Sequence, residues 1–490
     1  MITMSIDALL ILVIFVIAFV LILGEYVHRT LAAWGGALTM LIVGYSYGSL
    51  SWCSGHLFGF KEKTKIEGPE SPYYAIKHEC ENNLFTAIDF NVIGLLMGMM
   101  IFAAMLEICG FFEFVAIKAT KLSKGDPWML VVYLGTFTTL ISIVIDNVTA
   151  IILIAPITIK ICDKIKISAI PPLIAEAILS DTGGVATLVG DPPNVMIASF
   201  TADAGTAFTF NSFIEHLTPL TFFAWVITLG YMRYYYKDWR ETKPENVKEV
   251  LNEDEWAAIK DNGMMNKTLL TLAGTIILFS LHELVLSPRG IHIEISAIAL
   301  GGAGIAMMLS LPDVHHVIEK VEWTALLFFA GLFTMVGALE HMGHLENIAK
   351  WIFAKFGPDG TISNEAVVLA VAMIWVAAVA SAIVDNIPFC AAMLPIIHNL
   401  GEMSIDPETG MAAVNVIPLY WALAMGCGFG GNATPIGSSA NVMTVSIAER
   451  GGHKISTAEW LRVGLPVMII TCIVATIFMA LFYDSLYVNP

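Results

Sequence analysis

Charge is what this chain has least of. Asp, Glu, Lys and Arg make up only 14% of its 490 residues, where a soluble domain carries roughly a quarter. The few charges sit in short stretches between apolar runs of about 20 residues, the length that crosses a bilayer as a helix, so the chain reads as a polytopic membrane protein. Basic residues are scarcer than acids, 25 against 42, for a net charge of −17. That balance, with no Lys/Arg cluster on any one face, argues against nucleic-acid binding. The seven cysteines show no CxxC or CxxH spacing, which argues against a zinc or redox site. Cys53 and Cys80 share one loop and read as free thiols, a bridge requiring that the loop face an oxidising compartment. Period-two alternation is lacking, which disfavours a transmembrane β-barrel. No basic residue precedes Arg29, the wrong flank for a cleaved signal, so the first apolar run reads as a retained span.

Twelve apolar segments are present, roughly 6–24, 30–50, 84–106, 127–160, 169–200, 217–236, 268–287, 291–311, 323–341, 365–400, 411–446 and 461–484. Four are abnormal. Those at 127–160 and 365–400 are too long for one span and carry Asp-Asn in the middle, while those at 169–200 and 411–446 are interrupted by Gly, Pro and Asn. Such breaks are tolerated at membrane depth only where the freed backbone is buried in protein or lines a cavity, so function is expected there.

The chain repeats itself. Leu106-Glu107-x-x-Gly110-x-x-Glu113 recurs as Leu339-Glu340-x-x-Gly343-x-x-Glu346, an offset of 233. Asp146-Asn147, with Ser142 before and Pro156 after, recurs as Asp385-Asn386 with Ser381 and Pro395, an offset of 239. Gly183-Gly184-Val-Ala186-Thr187-x-x-Gly190-x-x-x-Asn194 recurs as Gly430-Gly431-Asn-Ala433-Thr434-x-x-Gly437-x-x-x-Asn441, an offset of 247. Three motifs in one order define two homologous halves, 1–236 and 268–490, joined by a polar stretch, 237–267, whose eight acids read as a solvated cytoplasmic connector. If 127–160 and 365–400 are re-entrant hairpins, the two motif blocks fall on opposite faces and the repeat is inverted. An external N-terminus then places 18 of the 25 basic residues on the cytoplasmic side and 7 on the other, in keeping with the positive-inside bias.

Lys160, Arg233 and Arg462 sit at segment ends, and no Lys or Arg lies deeper in a membrane segment. Acids do: Asp146, Asp181, Asp191 and Asp385, with Glu25, Glu107, Glu176 and Glu340 nearer segment ends. A charge at mid-bilayer costs on the order of 3 kcal/mol on insertion scales, so these carboxylates need a reason. Burial favours a carboxyl's proton and a nearby cation displaces it, so an acid there exchanges one for the other. Acids and amides without fixed positive charge favour a cation over citrate or phosphate, although helix N-termini also bind anions. Alone, an Asp-Asn pair would be a helix cap. Repeated beside a broken helix, it supplies hard oxygen donors suited to Na⁺ or Li⁺, with freed backbone carbonyls completing the shell. The leading ion and proton ligands are Asp146, Asn147, Thr187, Asn194, Ser381, Asp385, Asn386, Thr434 and Asn441, the metal position itself at Asp146, Asn147, Asp385 and Asn386. Thr149, Asp181, Thr182, Asp191 and Ser438 are second-rank candidates. Gly428 and Ser438 stand where the first half has Asp181 and Asp191, so the two halves are chemically unequal.

Several matches fail on context. Asp181-Thr182-Gly183 fits the aspartic-protease tripeptide but occurs once, without a dyad partner. Asn147-Val-Thr149 and Asn432-Ala-Thr434 fit the glycosylation pattern at membrane depth. His341 and His344 read as interface histidines rather than pH sensors.

The Gly-Gly-x-Ala-Thr-x-x-Gly-Asp191-Pro192-Pro193-Asn194 stretch, the two Asp-Asn hairpins and Gly-Gly-Asn432-Ala-Thr434-Pro435 resemble the ion transporter superfamily. It includes arsenite pumps, citrate and dicarboxylate carriers and NhaD-type sodium/proton antiporters. The likeness is greatest to the NhaD-type antiporters, over nearly the whole chain. Carboxylate carriers of the superfamily typically place Ser-Asn-Thr at the hairpin tips, where this chain has Asp146-Asn147-Val148 and Asp385-Asn386-Ile387. The resemblance implies an all-α fold of two inverted-topology repeats with re-entrant hairpins and broken helices. It further implies an elevator mechanism and a homodimer in a bacterial inner membrane. The resulting expectation is a secondary antiporter exchanging cytoplasmic Na⁺ or Li⁺ for external H⁺, with no cofactor and no enzymatic activity. The alternatives are an anion or metalloid carrier of the same superfamily and, from another class, an intramembrane protease using Asp146 and Asp385 as a dyad.

Overall fold

The computed structural model describes residues 5–23, 27–47, 87–203, 208–247, 251–291, 293–356, 362–404 and 415–488. Cys53, Cys80 and Glu25 lie outside them. All regular structure among the described residues is helical. Helices of twelve or more residues run, in the first half, as α1 (Ile6–Leu23), α2 (Arg29–Tyr47), α3 (Phe90–Ile108), α4 (Phe111–Ser123), α5 (Pro127–Ser142), α6 (Asn147–Lys164), α7 (Ile170–Gly184), α8 (Pro192–Asp203) and α9 (Phe210–Tyr235). The second half runs as α10 (Asn262–Leu281), α11 (Ile295–Ser310), α12 (Trp323–His341), α13 (His344–Phe356), α14 (Ile362–Ile383), α15 (Asn386–Met403), α16 (Ile417–Gly431), α17 (Ser439–Arg450) and α18 (Thr457–Phe482).

Five stretches of the described chain are long and apolar enough to cross a membrane: Phe90–Ile108, Phe210–Tyr235, Asn262–Leu286, Trp323–His341 and Thr457–Tyr487. Their exposed faces are greasy. Along α18, Leu465, Ile469, Ile473, Ile477 and Leu481 are exposed at every fourth position while Trp460, Val463 and Val467 are buried, the pattern of a helix with one face to lipid. The four abnormal segments are each split in two. Asp146 and Asp385 end the hairpin bends and α6 and α15 start at the following Asn, while α7/α8 and α16/α17 flank the Gly-rich breaks. At about 1.5 Å per residue the 15-residue α7 spans roughly 22 Å, short of a hydrocarbon core of about 30 Å, so α7 ends at membrane depth.

The chain forms two compact units, each drawing on both sequence halves: Met1–Ile93, Trp323–Asp359 and Ala391–Val414 in one, and Gly94–Glu322, Gly360–Cys390 and Asn415–Pro490 in the other. In the first, α12 lies against α1 and α2. Gly331 approaches the backbone of Ala33, and Thr30 Oγ1 and Trp34 Nε1 donate to the Thr324 and Leu327 carbonyls at 2.9 and 2.8 Å. In the second, α5 packs along α7, and α14 along α16. The latter pair is close because Gly426 and Gly430, four apart, face it. A Cβ on them would lie 2.6 Å from the Ile374 carbonyl oxygen and 2.5 Å from that of Ala378, the small-xxx-small device of membrane helix pairs. From the second half, α17 rests on α6 and α7 of the first.

The connector 237–267 is solvated, with no buried residue among those described from 237 to 263, and some of its acids also pair with the helix ends. Glu253 pairs with Lys164, Glu255 with Lys121, and Glu245 with Lys166 at 2.6 Å. The Trp256 ring meets Phe114 with centroids 4.7 Å apart. Glu245 N and Lys260 N donate to the Ile165 and Cys109 carbonyls at 2.9 Å each. Gly110 has a φ of +86°, and a Cβ there would fall 2.0 Å from the Ala258 carbonyl oxygen. Three of its eight acids thus face the basic ends of α4 and α6.

Two outcomes follow from this packing. Gly430→Val should separate α14 from α16 and destabilise the protein by about 1–3 kcal/mol, read as a lower midpoint in thermal unfolding in detergent. Lys121 holds Glu255 below the usual carboxylate range, and Glu245 holds Lys166 above the usual lysine range. The first pairing contributes above the ordinary Glu value and is lost as pH falls through the depressed one. The second contributes below the ordinary Lys value and is lost as pH rises through the raised one. Limited proteolysis of the connector should therefore hold constant from about pH 5 to 9, and accelerate below about pH 4 and near 1 M salt.

Candidate functional site

The two Gly-rich breaks and the two hairpin bends meet in the second compact unit, and the repeat extends to single hydrogen bonds. Ser142 Oγ donates to the Ser180 carbonyl at 2.9 Å, and Ser381 Oγ to that of Cys427 at 2.8 Å. Thr187 Oγ1 donates to the Ile143 carbonyl at 2.5 Å and Thr434 Oγ1 to that of Ala382 at 2.6 Å. These hydroxyls tie each break to its neighbouring hairpin. Unwinding frees carbonyls, and one amide per half collects them. Asn194 Nδ2 donates to Thr187 O at 2.8 Å and Val185 O at 3.2 Å, and Asn441 Nδ2 to Gly431 O and Thr434 O at 2.8 and 3.0 Å. The Val185, Thr187, Gly431 and Thr434 carbonyls thus each accept one amide bond and keep a second lone pair. Also open are the buried Oδ1 atoms of Asn194 and Asn441. Glycine is required where each break folds back: a Cβ on Gly190 would sit 2.6 Å from the Gly184 and Ser142 carbonyl oxygens, and one on Gly437 2.7 Å from that of Gly431.

The acids are placed unequally. Asp146 is the N-cap of α6, its two oxygens accepting from Thr149 N at 3.0 Å and Thr149 Oγ1 at 2.6 Å, the cap role weighed for a lone Asp-Asn pair. Asp385 lies in the left-handed region at φ +36° and accepts from Ser439 Oγ at 2.7 Å. The asparagines beside them do the convergent work. Asn147 Nδ2 donates to Asp181 Oδ1 at 2.9 Å and reaches Asp191 Oδ1 at 3.4 Å, while Asn386 Nδ2 donates to Asp191 at 3.2 and 3.4 Å. One amide from each half therefore serves a single carboxylate, Asp191. Ser438 Oγ, at the position aligned with Asp191, donates to Asp181 Oδ1 at 3.0 Å. Gly428, aligned with Asp181, leaves room beside Asp191, where a Cβ would lie 3.2 Å from Oδ2.

Asp146, Asp181 and Asp385 lie near enough for their charge to act on Asp191. No Lys or Arg pairs with Asp146, Asp181 or Asp191 among the described residues. Nor do three His, Cys, Asp or Glu side chains among them converge as a metal-holding group. A cation here would meet few carboxylates at once and take its other donors from amides, a set that suits a single charge. Asp181 Oδ2, Asn432 Oδ1, Asn194 Oδ1 and Asn441 Oδ1 are buried and without a hydrogen-bond partner.

Thr182 is bound to Ile178 O at 2.7 Å and accepts from Asn432 Nδ2 at 3.2 Å. Asn432 was missed as a candidate because the first half has Val185 at the aligned position, so the repeat gave no signal. Asn441→Ala should strand two buried carbonyls and cost about 1–3 kcal/mol, visible as a lowered unfolding midpoint, and Asn194→Ala should behave alike.

Residues 18–426 match a family profile described as CitMHS, citrate transporter. A 46 kDa membrane protein of Mycobacterium leprae is 34% identical over 470 residues, covering 96% of this chain and 97% of that one. The human P protein is 32% identical over 524 residues, covering 93% of this chain and 58% of its own length. Among solved structures, the Alcanivorax borkumensis YdaH transporter superposes with a TM-score of 0.56 at 16% identity, covering 95% of this chain and all of that one. Neisseria gonorrhoeae MtrF, of a class of antimetabolite efflux pumps, gives 0.57 at 14% identity, covering 100% and 97%. At those identities the likeness is one of fold, that of an all-helical polytopic membrane transporter. The family match reaches the citrate transporters and stops short of the NhaD-type subgroup.

Proposed function

The chain belongs to the citrate transporter family, a family of secondary transporters and not of enzymes, and on that premise we propose that its centre binds a monovalent cation in competition with protons. The observation that carries this reading is the convergence of Asn147 and Asn386, one from each half, on Asp191, beside an Asp181 oxygen left open. Neutral amide donors stabilise a carboxylate without cancelling its charge. The acid remains able to attract either Na⁺ or a proton, which makes exchange of cytoplasmic Na⁺ or Li⁺ for external H⁺ the transport that the geometry supports best. Asp181 and Asp191 would carry the exchange. Asn147, Asn386, Asn432, Asn194 and Asn441 would supply neutral oxygens or hold the acids, and Asp146 and Asp385 would set the local field. An external N-terminus, inverted halves, elevator motion, a homodimer and a bacterial inner membrane complete the proposal.

The family description favours a second reading, in which the cargo is a di- or tricarboxylate. An acid-lined centre would pass such an anion only in company with the cation.

Everted vesicles carrying a pH-sensitive dye, given NaCl, LiCl, KCl or choline chloride from pH 7 to 9.5, test the first reading. Na⁺ and Li⁺ should dequench the dye and choline should not, and Asp181→Asn and Asp191→Asn should each abolish the response. Apparent Na⁺ affinity should rise with pH, approaching about tenfold per unit for one competing proton. A response that survives both substitutions, or an affinity indifferent to pH, would sink this assignment. Labelled citrate taken up only with Na⁺ or a proton gradient would establish the second reading.

A further inference from the structure

Two thiols lie beside the centre without a part in it. Cys390 on α15 and Cys427 on α16 are both free and fully buried. Each is placed by a contact to the turn that carries Asp191. Asn386, whose amide meets Asp191 at 3.2 Å, stands one turn before Cys390 on the same face of α15. Cys390 Sγ donates to the carbonyl of Pro193, two residues past Asp191, at 3.7 Å. From the other side comes α16: Gly428, next to Cys427, is the residue whose Cβ would lie 3.2 Å from Asp191 Oδ2. Brought together in this way, the two thiols share a hydrogen bond, and Asp191 is near enough for its charge to act on Cys427. None of Cys109, Cys162 and Cys472 has another cysteine among the groups that act on it.

Packing of the repeat does not ask for this pair. The aligned residues of the first half are Ile151 and Ser180, so a branched apolar side chain and a hydroxyl fill the equivalent places. A single buried cysteine is ordinarily a small apolar filler. Two in contact are a bidentate soft donor, because thiolate sulfur selects soft ions as carboxylate and carbonyl oxygens select hard ones. Ligand count narrows the ion further. Among the described residues no third His, Cys, Asp or Glu side chain joins them as a metal-holding group, and a structural zinc needs four donors. Two thiolates alone satisfy an ion that prefers linear two-fold coordination, the chemistry of Cu⁺, Ag⁺ and Hg²⁺. Depth in the membrane favours a neutral product over a charged one, and Hg²⁺ on two thiolates is neutral.

We propose that Cys390 and Cys427 form a two-thiolate site for a soft, linearly coordinated metal ion, separate from the acids and amides of the centre. Binding of Hg²⁺ breaks two S–H bonds, forms two Hg–S bonds and releases two protons, with no change of oxidation state. The site does not depend on which cargo the centre carries.

The test uses the purified full chain in detergent, with Cys53 and Cys80 replaced by serine and with the monothiol 2-mercaptoethanol in excess. The probe is HgCl₂. One Hg²⁺ per chain should stay bound through gel filtration, its X-ray absorption should show two sulfur neighbours, and two protons should be released per ion bound. Cys390→Ser and Cys427→Ser should each weaken retention by on the order of tenfold or more, because a lone protein thiol loses the advantage of a tethered second donor over the free monothiol. The double variant should be no weaker than either, and Cys162→Ser and Cys472→Ser should bind as before. Zn²⁺ should not be retained under the same conditions. Retention that survives the loss of either thiol, a single sulfur neighbour, or retained Zn²⁺ would overturn the site. Should the serine variants not fold, Cys390→Ala and Cys427→Ala, which add no buried hydroxyl, decide in the same way. A chain that moves no Na⁺ against protons yet holds Hg²⁺ on both sulfurs would overturn the exchange reading and uphold this site.

Discussion

Carboxylates held at membrane depth without a positive side chain to answer them are the constraint on which this molecule turns. A Lys or Arg beside Asp181 or Asp191 would stabilise the charge and at the same time cancel it. Neutral donors are used instead: Asn147 on both acids, Asn386 on Asp191 and Ser438 on Asp181. Dipoles lower the cost of the charge and leave its sign exposed. Bringing those donors in from opposite halves requires that two hairpins end, and two helices break, at the same depth. The breaks free backbone carbonyls, and Asn194 and Asn441 satisfy them. Glycines at 190 and 437 allow the freed backbone to fold back on itself.

The paired bonds show what a repeat specifies and where it lapses. Ser142 and Ser381, Thr187 and Thr434, and Asn194 and Asn441 make equivalent bonds in the two halves. The hydroxyls hold break to hairpin twice over, and the amides gather the carbonyls within each break. The chemistry lies where equivalence fails. Both acids of the centre come from the first half, and the second answers with Gly428 and Ser438 in the aligned places, one making room and the other donating a hydrogen bond. A transporter that must treat its two faces differently needs such inequality.

The compact units also differ from the sequence halves, because helices pack by complementary faces rather than by chain order. The hairpin arm α14 fits α16 through Gly426 and Gly430, and α17 crosses to α6 and α7. The connector joins in by charge, its Glu253, Glu255 and Glu245 meeting Lys164, Lys121 and Lys166. Those three lysines are among the 18 basic residues read as a positive-inside signal, so part of that signal is also a docking surface.

Much of the fold was legible in the sequence. Apolar runs near the bilayer length announce spans, and a run too long for one span with Asp-Asn at its centre announces a bend, since that pair caps a helix start. Gly, Pro and Asn within an apolar run announce a break, because only there is unwound backbone tolerable. The list of polar candidates was legible for the same reason, every intramembrane polar residue being costly enough to need a partner. Which partner each finds was not. Asp146 and Thr187 read as ion ligands, yet one closes on Thr149 and the other on Ile143. Asp191 ranked second, yet it gathers both tip amides, and Asn432 drew no notice although its Oδ1 faces the interior unbonded. Residue chemistry and local spacing thus determined that this chain spans a membrane, repeats, and gathers acids and amides at its breaks. Which acid stands at the crossing of the halves was decided by tertiary structure alone, because hydrogen-bond reach of about 3 Å depends on how helices distant in sequence are set side by side.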